Sequence, residues 1–379
     1  MTFSLSSEHE AIREAVREFA EEEIVPVAAE HDEAGRYPED IRREAAEYDF
    51  IAPNIPVEYG GAGMDRTGMT IVTEELWRAD PGIGSALGSA GFGTDMLIEF
   101  GDEWMKEEWL PQIAGGDVVS ASAISEPGHG SNVAGMETVA EADGDEYVIN
   151  GSKMWITNGT VADVAIVMAK TSPGERHRGI TAFLVPTDTD GFNPEKIDNK
   201  LGIRASDLAE IVLDDVRVPA ENVVGEVDEG FYQLMAFFAT GRTKVAGQAL
   251  GAAQGALEAA LEYAKQREQF DQQISEFQAI RHKLAEMATN VEAARSLTYR
   301  AAAAVDEGNQ ETAAKYSSMA KLFASEAAVD VSDEALQVHG GAGYVSDFPA
   351  ERYYRDARIT KIYEGTSEIQ KNIIADRIL

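Results

Sequence analysis

In the segment Ile362-Tyr363-Glu364-Gly365-Thr366-Ser367-Glu368-Ile369-Gln370, one carboxylate stands between an aromatic residue and a glycine. That placement suits a general base. Tyr363 and Ile362 can exclude water, and desolvation moves a carboxyl group upward from about 4.3, toward the range where proton transfer is efficient. Gly365 lets the backbone approach a ligand and adopt dihedrals that a Cβ resists. The competing reading is a turn before a C-terminal helix, with Glu364 a solvated charge at its start.

Three further glycine-bearing polar clusters lie far apart in the chain. In Ser122-Ala123-Ile124-Ser125-Glu126-Pro127-Gly128-His129-Gly130-Ser131-Asn132, a strand runs into a turn whose N–H groups and hydroxyls can hold carbonyl or phosphate oxygens. A plain loop has the same composition. In Trp155-Ile156-Thr157 an indole and a hydroxyl could lie against a planar heterocycle, although a Trp in a strand is ordinarily core. Gln337-Val338-His339-Gly340-Gly341-Ala342-Gly343-Tyr344 reads either as a helix C-cap or as backbone that meets a phosphate or ribose.

Other chemistries are disfavoured. There is no Gly-x-Ser-x-Gly elbow, no Gly-x-x-x-x-Gly-Lys-Ser/Thr loop and no Gly-x-Gly-x-x-Gly between a strand and a helix. The six histidines are scattered without metal-ligand spacing, so no metal site is expected. Cysteine is absent, which removes disulfides and thiolate nucleophiles and leaves redox chemistry to a bound cofactor. Sixty-seven acidic against 32 basic residues give a formal net charge of -35, which argues against nucleic-acid binding. The excess is spread along the chain. Such a coat self-repels in dilute buffer and is tolerated where salt screens it, so a halophilic, salt-rich cytoplasm is expected. No run of 18 apolar residues and no basic-then-apolar leader is present, so a cytoplasmic protein without membrane association is expected.

The elements that must position these clusters change period twice along the 379 residues. Helical spacing predominates first, with Ser7 and Glu10 as a capping box and Ile12, Ala15, Val16 and Phe19 on one face. Alternation then predicts strands at 118–125, 147–149, 164–169, 180–185 and 211–218, with Asn150-Gly151 as a type I′ hairpin turn. Past that turn, Trp155 and Thr157 would share one face and Met154 and Ile156 the other. Long amphipathic helices follow at 231–267, 276–307 and 311–339. The expected fold is mainly α with a central β domain: an N-terminal all-helical domain (1–117), a middle β domain (118–226) and a C-terminal helical bundle (227–379).

In order and spacing, several motifs together resemble the acyl-CoA dehydrogenase family over essentially the whole chain. They are Glu-Pro-x-x-Gly-Ser (126–131), Trp-Ile-Thr-Asn-Gly (155–159), Lys200-x-Gly202-x-Arg204-x-Ser206, Arg267-x-x-Phe270, Gln337-x-x-Gly340-Gly341 and Tyr-Glu-Gly-Thr-Ser-Glu-Ile-Gln (363–370). The stretch 354–360 is similar to short-chain members, so a short- or medium-chain type is expected. The resemblance implies a homotetramer with FAD held between the β domain and the bundle. It places Ser122, Ile124, Ser125, Gly130, Ser131, Trp155, Ile156 and Thr157 at the flavin ring. Arg267, Glu268, Gln269, Phe270, Phe277 and Gln278, with Gln337, Gly340 and Gly341, would meet a neighbouring subunit's FAD. Gly365, Thr366, Ser367 and Glu368 would close over the cofactor. Ser131, Arg242, Tyr363 and Glu364 would contact an acyl-CoA.

By the same resemblance, Glu364 takes the α-proton of the thioester while the β-hydrogen leaves as hydride to the flavin, giving a trans-2-enoyl-CoA. The electrons then go to electron-transfer flavoprotein. Some relatives carry the base near 241, where this chain has no carboxylate. Glutaryl-CoA members place an arginine where Gly84 stands, which makes a dicarboxylic substrate less expected. Asn132, Asp271 and Ala239 depart from the usual pattern. Two other readings stay open on residues alone: a noncatalytic acyl-CoA- or flavin-binding paralogue, and an acyl-CoA oxidase that uses oxygen.

Overall fold

The computed structural model describes residues 5–379; residues 1–4 and the side chains of Arg176, Ala239, Thr240 and Gln310 lie outside the description. Seven helices come first: α1 (Ser7–Phe19), α2 (Ala28–Ala34), α3 (Glu39–Glu47), α4 (Arg66–Ala79), α5 (Pro81–Gly88), α6 (Thr94–Phe100) and α7 (Glu103–Ala114). The cap of α1 sits one residue earlier than expected. Ser6 accepts from the His9 N–H at 3.1 Å, which makes Ser7 the first helical residue.

The middle of the chain forms β1 (Ser120–Ala123), β2 (Val139–Asp143), β3 (Glu146–Thr157), β4 (Val164–Lys170), β5 (Ile180–Pro186), β6 (Phe192–Lys196), β7 (Leu208–Pro219) and β8 (Val223–Val224). They make one sheet in the order β6-β7-β3-β2-β4-β5-β8, with β1 parallel to β4 at its start. Both faces of β4 are buried. Ile166 and Met168 pack toward the N-terminal helices, while Ala165 and Val167 fill a second core on the opposite face, as alternation requires.

The expected hairpin at Asn150-Gly151 is not there. β3 runs straight through these residues, and the turn falls at Gly144-Asp145, where Asp143 pairs with Glu146 and Gly144 has φ +70°. Asn150 instead spends its amide on β7, donating to Asp215 Oδ1 at 3.0 Å and accepting from the Asp215 N–H at 2.8 Å. The β3–β7 pairing shifts register between Ile149 and Gly151, a bulge against β7, and a Cβ on Gly151 would come within 2.6 Å of Thr138 Oγ1 on the other flank, which glycine avoids. The local turn signal loses to cross-strand pairing. A second irregularity at Lys153/Ile156 puts Trp155 at φ +65° and breaks the simple alternation predicted for residues 154–157. The indole is therefore not core: Trp155 is 60 % exposed, while Ile156 is buried in the sheet.

The remainder is α8 (Gly230–Gln266), a short hairpin of β9 (Glu268–Gln269) and β10 (Gln272–Gln273), then α9 (Gln278–Asp306), α10 (Gln310–His339), α11 (Ala350–Ala357) and α12 (Ser367–Ile378). Helix α8 buries Ala246, Ala249, Ala253, Ala256, Ala260 and Ala264, a narrow stripe that lets it approach its neighbours closely. The architecture is three domains: N-terminal helices, a middle β-sheet and a C-terminal helical domain. Among the described residues no helix is long and apolar enough to cross a membrane.

Candidate active site

After α11 the chain makes a 3-10 turn and then takes two successive left-handed residues, Glu364 (φ +53°) and Gly365 (φ +90°), before Thr366 caps α12. A non-glycine residue in that region costs roughly 1–3 kcal/mol and persists only where its surroundings hold it. Here they do. Gln370 Nε2 donates to the carbonyls of Glu364 (3.3 Å) and Gly365 (2.9 Å), and Lys321 Nζ donates to Gly365 at 2.7 Å. The Tyr363 hydroxyl donates to Gln248 Oε1 on α8 at 2.5 Å.

The bent backbone aims the Glu364 side chain at α8. Its Oε2 is buried with no hydrogen-bond partner, and a Cβ on Gly241 would stand 3.7 Å from it. Burial pushes the Glu364 carboxyl above its ordinary range; Lys244, Arg242 and Lys321, in that order, pull it back, and Asp95 adds to the rise. Arg242 is itself buried and its Nε lacks a partner. Burial likewise brings the Lys321 ammonium down to about 8. The carboxylate faces a cavity whose walls include Thr157, Phe237, Gly241, Lys244, Tyr363 and Glu364. A desolvated carboxylate oxygen without a direct partner can accept a proton from a ligand bound in that cavity.

The first polar cluster is built on a buried pair. Lys153 Nζ donates to Glu126 Oε1 at 2.9 Å, and Glu126 also accepts from the N–H groups of Glu137 (2.5 Å) and Thr138 (2.9 Å). Although burial acts to raise it, Lys153 and these donors hold the Glu126 carboxyl down at about 2. Glu126 thereby pins both ends of the loop that displays Gly130 and Ser131 at the surface. Ser122 and Ile124 are buried beneath it, and Ser125 is half-buried.

Of the residues singled out from sequence, Thr157, Tyr363 and Glu364 line the cavity together, with Arg242 buried on the adjoining helix. Apart from the buried Ser122, Ile124, Ile156 and Ser367, the others lie at or near the surface. Arg267 caps α8; Glu268, Gln269 and Phe270 form the exposed hairpin, with Phe270 87 % exposed and its ring 6.1 Å from that of Phe277. Gln278 opens α9, and Gln337, Gly340 and Gly341 lie exposed at the end of α10. Thr366 and Ser367 begin α12, Ser367 Oγ being buried without a partner, while Glu368 faces solvent.

The sequence reading missed Lys153, Lys244, Gln248, Lys321 and Gln370. A signal exists for Lys321, which interrupts a buried stripe of small residues, Ser317, Ser318, Ala320, Ala324 and Ser325. A lysine at such a position needs an acceptor, and here it is the Gly365 carbonyl. Among the described residues no group of three or more His, Asp or Glu could hold a metal ion.

Three family models match the chain: the acyl-CoA dehydrogenase N-terminal domain over residues 6–117, the middle domain over 121–216 and the C-terminal domain over 228–379. The mitochondrial short-chain specific acyl-CoA dehydrogenase of Rattus norvegicus is 42% identical over 377 residues, spanning 99% of this chain and 91% of that one. Among solved structures, butyryl-CoA dehydrogenase from Megasphaera elsdenii superposes with a TM-score of 0.95 at 38% identity, covering 99% of each chain. A chain from a structure described as the electron transferring flavoprotein of Acidaminococcus fermentans gives a TM-score of 0.97 at 40% identity over 100% of both.

Proposed function

The chain belongs to the acyl-CoA dehydrogenase family and is an oxidoreductase; from that premise we propose that it removes the α- and β-hydrogens of an acyl-CoA thioester to give a trans-2-enoyl-CoA, with Glu364 as the α-proton acceptor. One observation carries this reading: Oε2 of the Glu364 carboxylate is buried without a hydrogen-bond partner, and Glu364 lines a cavity together with Thr157, Phe237 and Tyr363. The α C–H of a thioester is a weak acid, so its carbonyl must be polarised as the proton leaves. Among the described residues no acceptor is bonded to the Glu364 N–H, which leaves that donor free to meet the thioester oxygen. The carboxylate and the N–H of one residue then act on adjacent atoms of the substrate. Lys321 and Gln370 position both by fixing the carbonyls at 364 and 365. Tyr363, tied to Gln248, excludes water from the carboxylate.

The residues present fit FAD. Trp155 presents its indole in the strand that carries Thr157 into the cavity wall, and a Cβ at Gly130, Gly340 or Gly341 would meet nothing within 4 Å, leaving room for a ligand against the backbone. Ser122, Ile124, Ser125, Ser131 and Ile156 complete the ring-side set, Ile156 through its backbone. Arg267, Glu268, Gln269, Phe270, Phe277, Gln278 and Gln337 would serve a neighbouring subunit's cofactor, and Gly365 to Glu368 would close over this one. When bound, FAD supplies the two-electron acceptor for the β-hydrogen. The exposed rings of Phe270 and Tyr344 (82 % exposed) support a homotetramer that covers them. Similarity to the Acidaminococcus chain supports electron-transfer flavoprotein as the electron acceptor. Domain limits near 117 and 226, a cytoplasmic location and a salt-rich cell complete the proposal, the last resting on the net charge of -35.

The test is anaerobic titration of the FAD-loaded protein with saturated acyl-CoA thioesters, followed at the flavin absorbance in high salt. Bleaching by at least one thioester is expected. Loss of bleaching with retained thioester binding in Glu364→Gln separates catalysis from a binding role; peroxide formed at turnover rate without an added acceptor would favour an oxidase.

A further inference from the structure

A lysine enters the wall of the same cavity. Lys244 lies on α8 one turn beyond Gly241. Its Nζ donates to the Gly88 carbonyl at 2.6 Å, the last residue of α5, and stands 5.5 Å from the centre of the Phe92 ring. An ammonium has three donors, and among the described residues this one makes that single hydrogen bond and no ion pair. The other charges near it are engaged. Asp95 accepts from Asn54 Nδ2 at 2.5 Å and lies 3.9 Å from Arg66, and Glu364, the remaining carboxylate of the wall, is reserved for the reacting carbon.

A cation so placed is costly against a plain alkyl tail, which would strip water from the ammonium and return nothing. A carboxylate at the far end of the acyl group returns a charge-assisted hydrogen bond. The glycine at 84 does not oppose this. A Cβ there would meet the Leu76 backbone at 2.9 Å and Trp77 at 3.0 Å, so position 84 holds no side chain, and its helix instead offers the Gly88 carbonyl to Lys244 one turn later. The lysine charge in this wall of the cavity comes from α8.

We propose that Lys244 is a specificity residue that receives the distal carboxylate of a dicarboxylic acyl-CoA. This assignment rests on the thioester chemistry proposed above. The experiment compares length-matched pairs, glutaryl-CoA with pentanoyl-CoA and adipyl-CoA with hexanoyl-CoA, as kcat/KM ratios and as Kd values on a Glu364→Gln background. In Lys244→Met, a side chain of similar length without charge, the dicarboxylic-to-monocarboxylic ratio for the better pair should fall ~10- to 100-fold, with Lys244→Arg retaining most of it. A fall of less than threefold in both ratio and Kd overturns the proposal. If no thioester of either kind reduces the flavin, it is the dehydrogenase reading that fails, and the Kd values still decide the role of Lys244.

Discussion

Two clusters of buried charge on either side of α8 are built on opposite plans. On the α4 side, Glu74 and Glu75 are almost wholly buried and saturated with partners. Glu74 bonds Arg295, accepts from the Tyr299 hydroxyl at 2.5 Å and lies 3.6 Å from Arg13. Glu75 takes a two-pronged contact from Arg17 at 3.0 Å and another from Arg78 at 2.8 Å. On the other side Glu364 sits among Lys244, Arg242 and Lys321 with Oε2 bonded to none of them. A saturated carboxylate joins α1, α4 and α9 and has no lone pair to spare for chemistry. An unsaturated one keeps its basicity available and is stabilised only at a distance.

The largest expected effect breaks this contrast at its reactive side. Glu364→Gln should lower the anaerobic rate of flavin reduction by ~10²- to 10⁴-fold, with thioester binding retained, measured by stopped-flow absorbance. At the saturated side, Glu74→Gln should destabilise the fold by about 3 kcal/mol, read from the urea midpoint, while the rate per folded protein stays unchanged. That value is at the low end for a broken buried pair because Arg295 and Arg13 keep part of their guanidinium groups in water.

A pH profile sharpens the comparison. Burial raises the Glu364 carboxyl, so the rate should fall as pH drops through a value above the ordinary carboxylate range. Lys321→Met removes one of the cations that hold the carboxyl down, so this acid limb should move to higher pH. The same substitution has an alkaline signature in stability. The folded-state value of Lys321 is about 8 against an ordinary 10.5, so the unfolded chain binds the extra proton between them. The parent should therefore gain stability as pH rises from about 8 to 10.5, and Lys321→Met should lack that gain. The smallest effect is expected at the surface, where Lys371 lies 3.8 Å from Glu326 with both side chains in water. Lys371→Ala should change stability by less than ~0.5 kcal/mol.

Helices α8, α9 and α10 are legible in the sequence because apolar and small residues repeat at helical spacing over many turns, and their ends fall within about two residues of the expected ones. β3 is not legible in the same way. Asn150-Gly151 carries the strongest short-range hairpin signal, yet pairing with Asp215, far away in the chain, makes it a bulge against β7. Trp155 fails for a related reason: its left-handed backbone is set by a register shift against β7 that no local pattern announces. In the site, Glu364 is visible because it sits in a contiguous motif. Lys244 and Lys321 are hidden because each belongs to a different helix, and only packing brings them to the same carboxylate.

By itself, the sequence determined the family, the helix–sheet–helix order, the acidic coat and the motif that holds the proposed base, since all of these are written in composition, period and contiguous residues. Only the tertiary structure decided that Oε2 of Glu364 would be left without a direct partner, with three cations near it and one of them in the wall of the cavity. Those properties depend on burial and on distances between separate helices, and Coulomb energy and desolvation follow spatial separation rather than position along the chain.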